Sequence, residues 1–193
     1  MPEAISEYVP QLAHSEESTR RVRRARHAWG LALACAAGLV GLIVGAPLLK
    51  AAGFQATAEG VYRGFGLVCH QMSERSFHVA GEPLAVCARC FGLYVGALAG
   101  VAVYPLVRSL VRRDFPARAW LLAAAVPTTL DFALGFFGVW ENTHASRLLT
   151  ALPLGVALAF CAVPGLVDLS LSTLREFLRP GLPREGRGGS LPS

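Results

Sequence analysis

The chain has 193 residues, of which 53% are hydrophobic and 16% charged, with a formal net charge of +5. A soluble domain of this length is normally about a quarter charged, so the shortage excludes an ordinary soluble globular protein and points to an integral membrane protein. The basic residues gather in three arginine-rich runs, which read as topology signals and contacts with anionic lipid headgroups, and no nucleic-acid partner is expected.

The N-terminal arm, residues 1–27, is mostly polar and carries Arg20, Arg21, Arg23, Arg24 and Arg26. Its first part reads as loosely structured. The first apolar segment runs from Trp29 to Leu49 without a charge, long enough to cross about 30 Å of hydrocarbon. A long polar lead, a long apolar run and the lack of a small-residue cleavage site make it an uncleaved anchor, not a signal peptide.

Between this span and the next lies a loop at residues 50–90. Its first half places Phe54, Ala58, Val61, Tyr62, Phe65 and Val68 at helical spacing, which predicts an amphipathic helix on the membrane surface. That helix ends in Cys69-His70. In the second half Phe77, Val79, Leu84 and Val86 alternate around the turn residues Gly81-Glu82-Pro83, so a short hairpin-like return should bring Cys87 and Cys90 back towards Cys69.

Three chemistries suit these cysteines. Thiolates are preferred soft ligands for zinc, and Cys69, Cys87 and Cys90 supply three. His70 is the nearest fourth ligand, although adjacent residues seldom ligate one ion comfortably, so His78 or His144 could serve instead. The other two chemistries are a disulfide that leaves one cysteine over and a redox-active C-x-x-C pair. Covalent haem attachment is disfavoured, because Phe91 and not His follows Cys90. Cys35 and Cys161 lie within spans and act as small apolar residues.

The second span, Cys90 to Val107, carries Gly92, Gly96 and Gly100, and the first carries Gly41 and Gly45. Such stripes let helices approach closely, either within the bundle or between copies of the chain or a membrane partner. A loop with Arg108, Arg112, Arg113 and Arg118 leads to the third span, Trp120 to Val139, interrupted only by Asp131. An ionised carboxylate there, roughly 12 Å below the outer end, costs on the order of 3 kcal/mol and needs a partner. Arg89 or Arg147 could pair with it and, with Asn142, form a polar pocket beneath the cysteines; the plainer alternative is an ion pair that fixes packing. Pro127 and Gly135 could kink this span. Glu141 and His144 fall in an outer loop, where solvent exposure accounts for them.

The fourth span, Leu148 to Val167, contains Pro153 and Pro164, which are expected to shorten its regular part. The tail, residues 173–193, is rich in Gly, Pro and Ser and reads as disordered. Thirteen of the 18 basic residues, including Arg175, Arg179, Arg184 and Arg187, fall on one side of this arrangement. The positive-inside rule then places both termini in the cytoplasm and the cysteine loop outside the cell membrane.

The series Cys69-His70-Gln71, Arg75-Ser76-Phe77, Gly81, Val86-Cys87-Ala88-Arg89-Cys90 and Gly92-Leu93-Tyr94-Val95-Gly96 resembles the family of predicted membrane proteins called domain of unknown function 2085. A second block resembles Pro127 to Arg147, with Asp131, Asn142 and Arg147 in place but Phe132 where the pattern favours glycine. The resemblance covers residues 30 to 170 and implies a multi-span bacterial or archaeal membrane protein, without a reaction.

The expectation is therefore an all-α integral membrane protein. It has four transmembrane helices in a membrane domain at residues 28–172, capped by an outward-facing amphipathic helix and a Cys/His loop. Its leading role is a zinc-stabilised scaffold or binding module in the lipid bilayer, with no catalytic residue assigned. A quinone-linked thiol oxidoreductase and a small transporter or channel using Asp131 are the alternatives.

Overall fold

The computed structural model describes residues 3–110 and 118–177, with side chains over 18–110 and 119–170. In chain order, α1 (Glu3–Ala51) is followed by α2 (Gln55–Gly66), a 3-10 turn at Ser73–Arg75, and an antiparallel hairpin of β1 (His78–Val79) and β2 (Glu82–Pro83). Then come α3 (Ala88–Val107), α4 (Arg118–Phe136) and α5 (His144–Phe177). Among the described residues four stretches are long and apolar enough to cross a membrane: Ser18–Ala51, Ala88–Val107, Ala119–Phe136 and His144–Ser170. Leu31, Leu42, Leu122, Leu130, Leu149 and Leu169 are exposed along them, a surface that lipid and not water solvates.

The tightest packing is between α3 and α5. A Cβ at Gly92, Gly96 or Gly100 would run into the carbonyl oxygens of Leu148, Leu152 or Val156, and one at Gly155 would meet that of Leu93. Glycine is what lets these two backbones touch. The glycine stripe considered for contacts between copies is thus covered by α5 of the same chain. Gly41 and Gly45 have nothing within 4 Å of an added Cβ, so the pair in α1 makes no such approach.

α1 crosses this pair and is tied to it by the Trp29 indole N–H, which donates to the Val101 carbonyl at 2.7 Å. Two apolar clusters follow from this arrangement. One gathers Ala25, Val101, Tyr104, Ala159 and Val163; the other gathers Ile43, Phe65, Cys69, Leu84 and Val86 at the opposite end, under the loop. α4 leans on α5 and leaves much of its surface to lipid. Two helices close at the cysteine end with glycine in the left-handed region, Gly53 at φ +90° and Gly138 at φ +68°. The amides that follow them, of Phe54 and Val139, return to the carbonyls of Leu49 and Leu134, a closure that a side chain would strain.

Several sequence expectations need correction. α5 runs unbroken through Pro153 and Pro164, since neighbouring helices in a membrane stabilise a backbone that proline interrupts. It also reaches Phe177, beyond the boundary expected at residue 173; the rest of the tail, with Arg179, Arg184 and Arg187, and the loop with Arg112 and Arg113 lie outside the described residues. The N-terminal arm is helical from Glu3. The hairpin turns at Ala80-Gly81, where φ is +53° and +82°, while Glu82 and Pro83 belong to β2. Two consecutive positive φ values give the turn whose twist matches a hairpin.

Candidate metal centre

The loop is a clamp that carries Cys69 to the head of α3. α2 buries Ala58 and Phe65, and the chain then leaves the helix with the Cys69 amide still bonded to the Phe65 carbonyl at 3.0 Å. Two residues later Gln71 adopts φ +51°, an uncommon conformation for a residue with a side chain. Its Nε2 donates to the carbonyls of Tyr62 and Ala85, both at 2.7 Å. One side chain thus joins α2 to the returning strand two residues before Cys87. The Tyr62 hydroxyl donates to the Pro83 carbonyl at 2.5 Å, and Lys50 pairs with Glu82 at 2.7 Å. Burial pushes the Tyr62 phenol up, which keeps it in the protonated, donating form.

Cys87 stands at the N-cap of α3 and Cys90 lies in its first turn. The Cys87 amide donates to the Cys69 sulfur at 3.3 Å. The sulfurs of Cys69, Cys87 and Cys90 all lie within 4.8 Å of one another. Thiolates around a tetrahedral zinc ion at ~2.3 Å stand about 3.8 Å apart, so small side-chain adjustments would let the three close on one ion. Hydrogen bonding from the Cys90 side chain pushes the Cys87 thiol down to about 5, against burial that acts the other way. All five cysteines are unlinked, and Cys35 and Cys161 stand outside the group.

Among the described residues no histidine belongs to the sulfur group. His70 is exposed and lines the cavity that the three cysteines also line. His78 meets the Ser73 hydroxyl at 3.1 Å. His144 packs on the Phe77 ring at 5.5 Å, with its Nε2 buried and without a hydrogen-bond partner.

The polar residues lie beside the sulfurs. Arg89, between the two cysteines of α3, pairs with Asp131 of α4 at 2.5 Å, their side chains 27% and 6% exposed. The guanidinium also lies over the Phe132 ring at 5.5 Å. Asn142 donates to the Asp131 backbone carbonyl, and a Cβ at Gly135 would overlap the Asn142 side chain. Gly135 is therefore the seat for Asn142, a role its possible part in a kink did not suggest. Asp131 sits five residues before the end of α4, about 7.5 Å of helical rise, shallower than expected. Arg147 does not pair with it but joins Arg75, Met72 and Phe136 around a cavity of about 510 Å³.

Gln71, Arg75 and Gly135, with the apolar Met72, Phe132 and Phe136, line the cavity without having been assigned to the site from the sequence. The CHQ and RSF triplets drew attention to two of them without indicating what they do.

Comparison with known proteins extends these observations. Residues 69–161 match the family model described as Predicted membrane protein (DUF2085). An uncharacterized protein of Methanocaldococcus jannaschii is 36% identical over 104 residues, which cover 54% of this chain and 67% of the relative. An uncharacterized protein of Methanothermobacter thermautotrophicus is 35% identical over 97 residues, covering 49% and 84%. No solved structure matches.

Proposed function

The chain belongs to the predicted membrane protein family DUF2085, and on that premise we propose that it is a cell-membrane protein holding a zinc-type ion on Cys69, Cys87 and Cys90. The supporting observation is the meeting of three sulfurs from two separate segments within 4.8 Å. His70 lines the same cavity but stands outside the sulfur group, so its ring would swing inward to supply the fourth ligand. The arginine distribution favours an orientation with both termini in the cytoplasm and the site outside.

The ion would cross-link the end of α2 to the head of α3. Structural zinc sites contribute directly to folding free energy, and here that contribution would hold the loop over the cavity. The protein is thus a metal-stabilised scaffold or binding module. Cobalt(II) titration of the purified, metal-stripped chain tests this. One equivalent should give thiolate-to-metal charge-transfer absorption that Cys87→Ser abolishes and His70→Ala shifts. No such absorption with all thiols free would overturn it.

One observation favours a second reading. Cys87 is a low-lying thiol beside Cys90, as a redox-active pair requires. In that case Cys87 and Cys90 would form a disulfide, passing two electrons and two protons to a membrane quinone, which becomes quinol. Reversible loss of exactly those two thiols with added quinone, in metal-free protein, would favour it over the scaffold.

A further inference from the structure

We propose that the cavity beside the cysteines is a binding site for a phosphate-type oxyanion, gripped by Arg75 and Arg147. Three guanidinium groups reach this cavity from three separate segments: Arg75 from the 3-10 turn, Arg89 from α3 and Arg147 from α5. Only Arg89 has a carboxylate, that of Asp131. Among the described residues Arg75 and Arg147 have no ion-pair partner and no side-chain hydrogen bond; Arg75 and Arg89 repel Arg147, and Asp131, already paired with Arg89, attracts it from beyond ion-pair distance. Arg89 itself keeps a buried Nε without a partner.

Like charges brought together at the edge of a low-dielectric region oppose folding unless a counter-charge joins them. Three guanidiniums against one carboxylate leave a surplus of two positive charges when the thiols are neutral. A divalent ion on three thiolates carries one net negative charge and lowers that surplus to one. In both states the cavity remains positive, so the inference does not depend on the metal.

The chemistry of the walls defines the class of ligand. Planar guanidinium forks match oxyanions with two or more acceptor oxygens, and Asn142 adds a neutral polar side chain to the lining. A volume of about 510 Å³ exceeds what a bare ion needs. The lining divides between these polar groups and the apolar side chains of Phe132, Phe136 and Met72, and Phe132 and Phe136 are also exposed on the surface of α4. A phosphate carrying an apolar or bulky substituent fits this division. The same headgroup chemistry can come from a phospholipid in the surrounding leaflet or from a phosphate in solution.

Native mass spectrometry of the full chain in detergent separates these sources, with phosphatidylglycerol and inorganic phosphate added in separate samples. Wild type should retain one of the two probes. The Arg75→Gln/Arg147→Gln variant should bind it at least about tenfold more weakly, while Arg63→Gln, on the exposed face of α2, should bind normally. Lipid retention without phosphate retention identifies a headgroup; the reverse identifies a soluble ligand. The single variant Arg75→Gln, at an exposed position, should weaken binding without disturbing the fold. Failure of wild type to hold either probe, or equal retention by wild type and the double variant, overturns the inference. Metal content is read from the same spectra: metal without anion refutes this site alone, and anion without metal refutes the metal centre alone.

Discussion

Arg89 Nη2 lies 2.5 Å from Asp131 Oδ2, and the pair joins the cysteine-bearing head of α3 to α4, a helix whose other contacts are mainly with α5. The guanidinium lies in the sequence between Cys87 and Cys90, so one helical turn carries both the sulfur group and the ion pair. Asp131→Ala would leave Arg89 facing a cavity already shared by two other arginines. We expect a loss of about 2–3 kcal/mol, below the ~3–5 of a fully buried pair because Arg89 keeps some exposure. A double-mutant cycle with Arg89→Ala, read by unfolding in detergent, should give a coupling of at least about 1 kcal/mol. Additive effects would show that the two helices are not joined through this pair.

Gly96 faces the Leu152 carbonyl across the α3–α5 contact. Gly96→Ala must push the helices apart and should destabilise the protein by about 1–3 kcal/mol. Gly41→Ala, where the same Cβ meets open space, should be neutral or slightly stabilising, because alanine favours the helix by up to ~1 kcal/mol. Thermal denaturation of the two variants side by side measures the contrast.

Gln71→Ala removes both hydrogen bonds that hold the two arms of the loop together. At about 1 kcal/mol each, with two carbonyls left short of a partner, the loop should lose about 2–3 kcal/mol. The spans lie elsewhere, so helical content by circular dichroism should be unchanged. The expected symptom is faster loss of metal to a chelator, measured by stopped-flow. An unchanged release rate would separate the clamp from the metal centre.

Metal retention should weaken as the pH falls. Protons compete with the ion for the same sulfurs, and a thiol whose folded value lies below its unfolded one stabilises the fold at high pH and loses that contribution as pH drops through the folded value. Cys87 is held down to about 5 even without an ion, from an ordinary value of 9.0, so its share should be full only above about 9, decline through neutral pH and be gone below about 5. Metal content after equilibration across this range gives the profile, and Cys87→Ser should hold no metal at any pH within it.

Much of this architecture was legible from the residues. The uncharged runs marked the spans because a bilayer excludes charge along the full length of a helix. The apolar spacing from Phe54 to Val68 marked α2, and the cysteine spacing marked the sulfur group. What escaped was set by contacts between distant segments. Nothing near Gln71 indicates that its amide meets carbonyls at Tyr62 and Ala85, and nothing near Gly135 indicates that Asn142 lies on it. Arg89 and Arg147 looked equally able to reach Asp131; the structure gives the carboxylate to Arg89. The prolines of α5 misled because their local penalty ignores the helices packed around them.

The metal centre is tested most directly by metal analysis and thiol counting on one sample of the purified, unstripped protein. The account predicts stoichiometric zinc with Cys69, Cys87 and Cys90 protected from alkylation, and loss of the ion in Cys87→Ser. Metal-free protein in which these three thiols react freely, or cycle between thiol and disulfide, would contradict it.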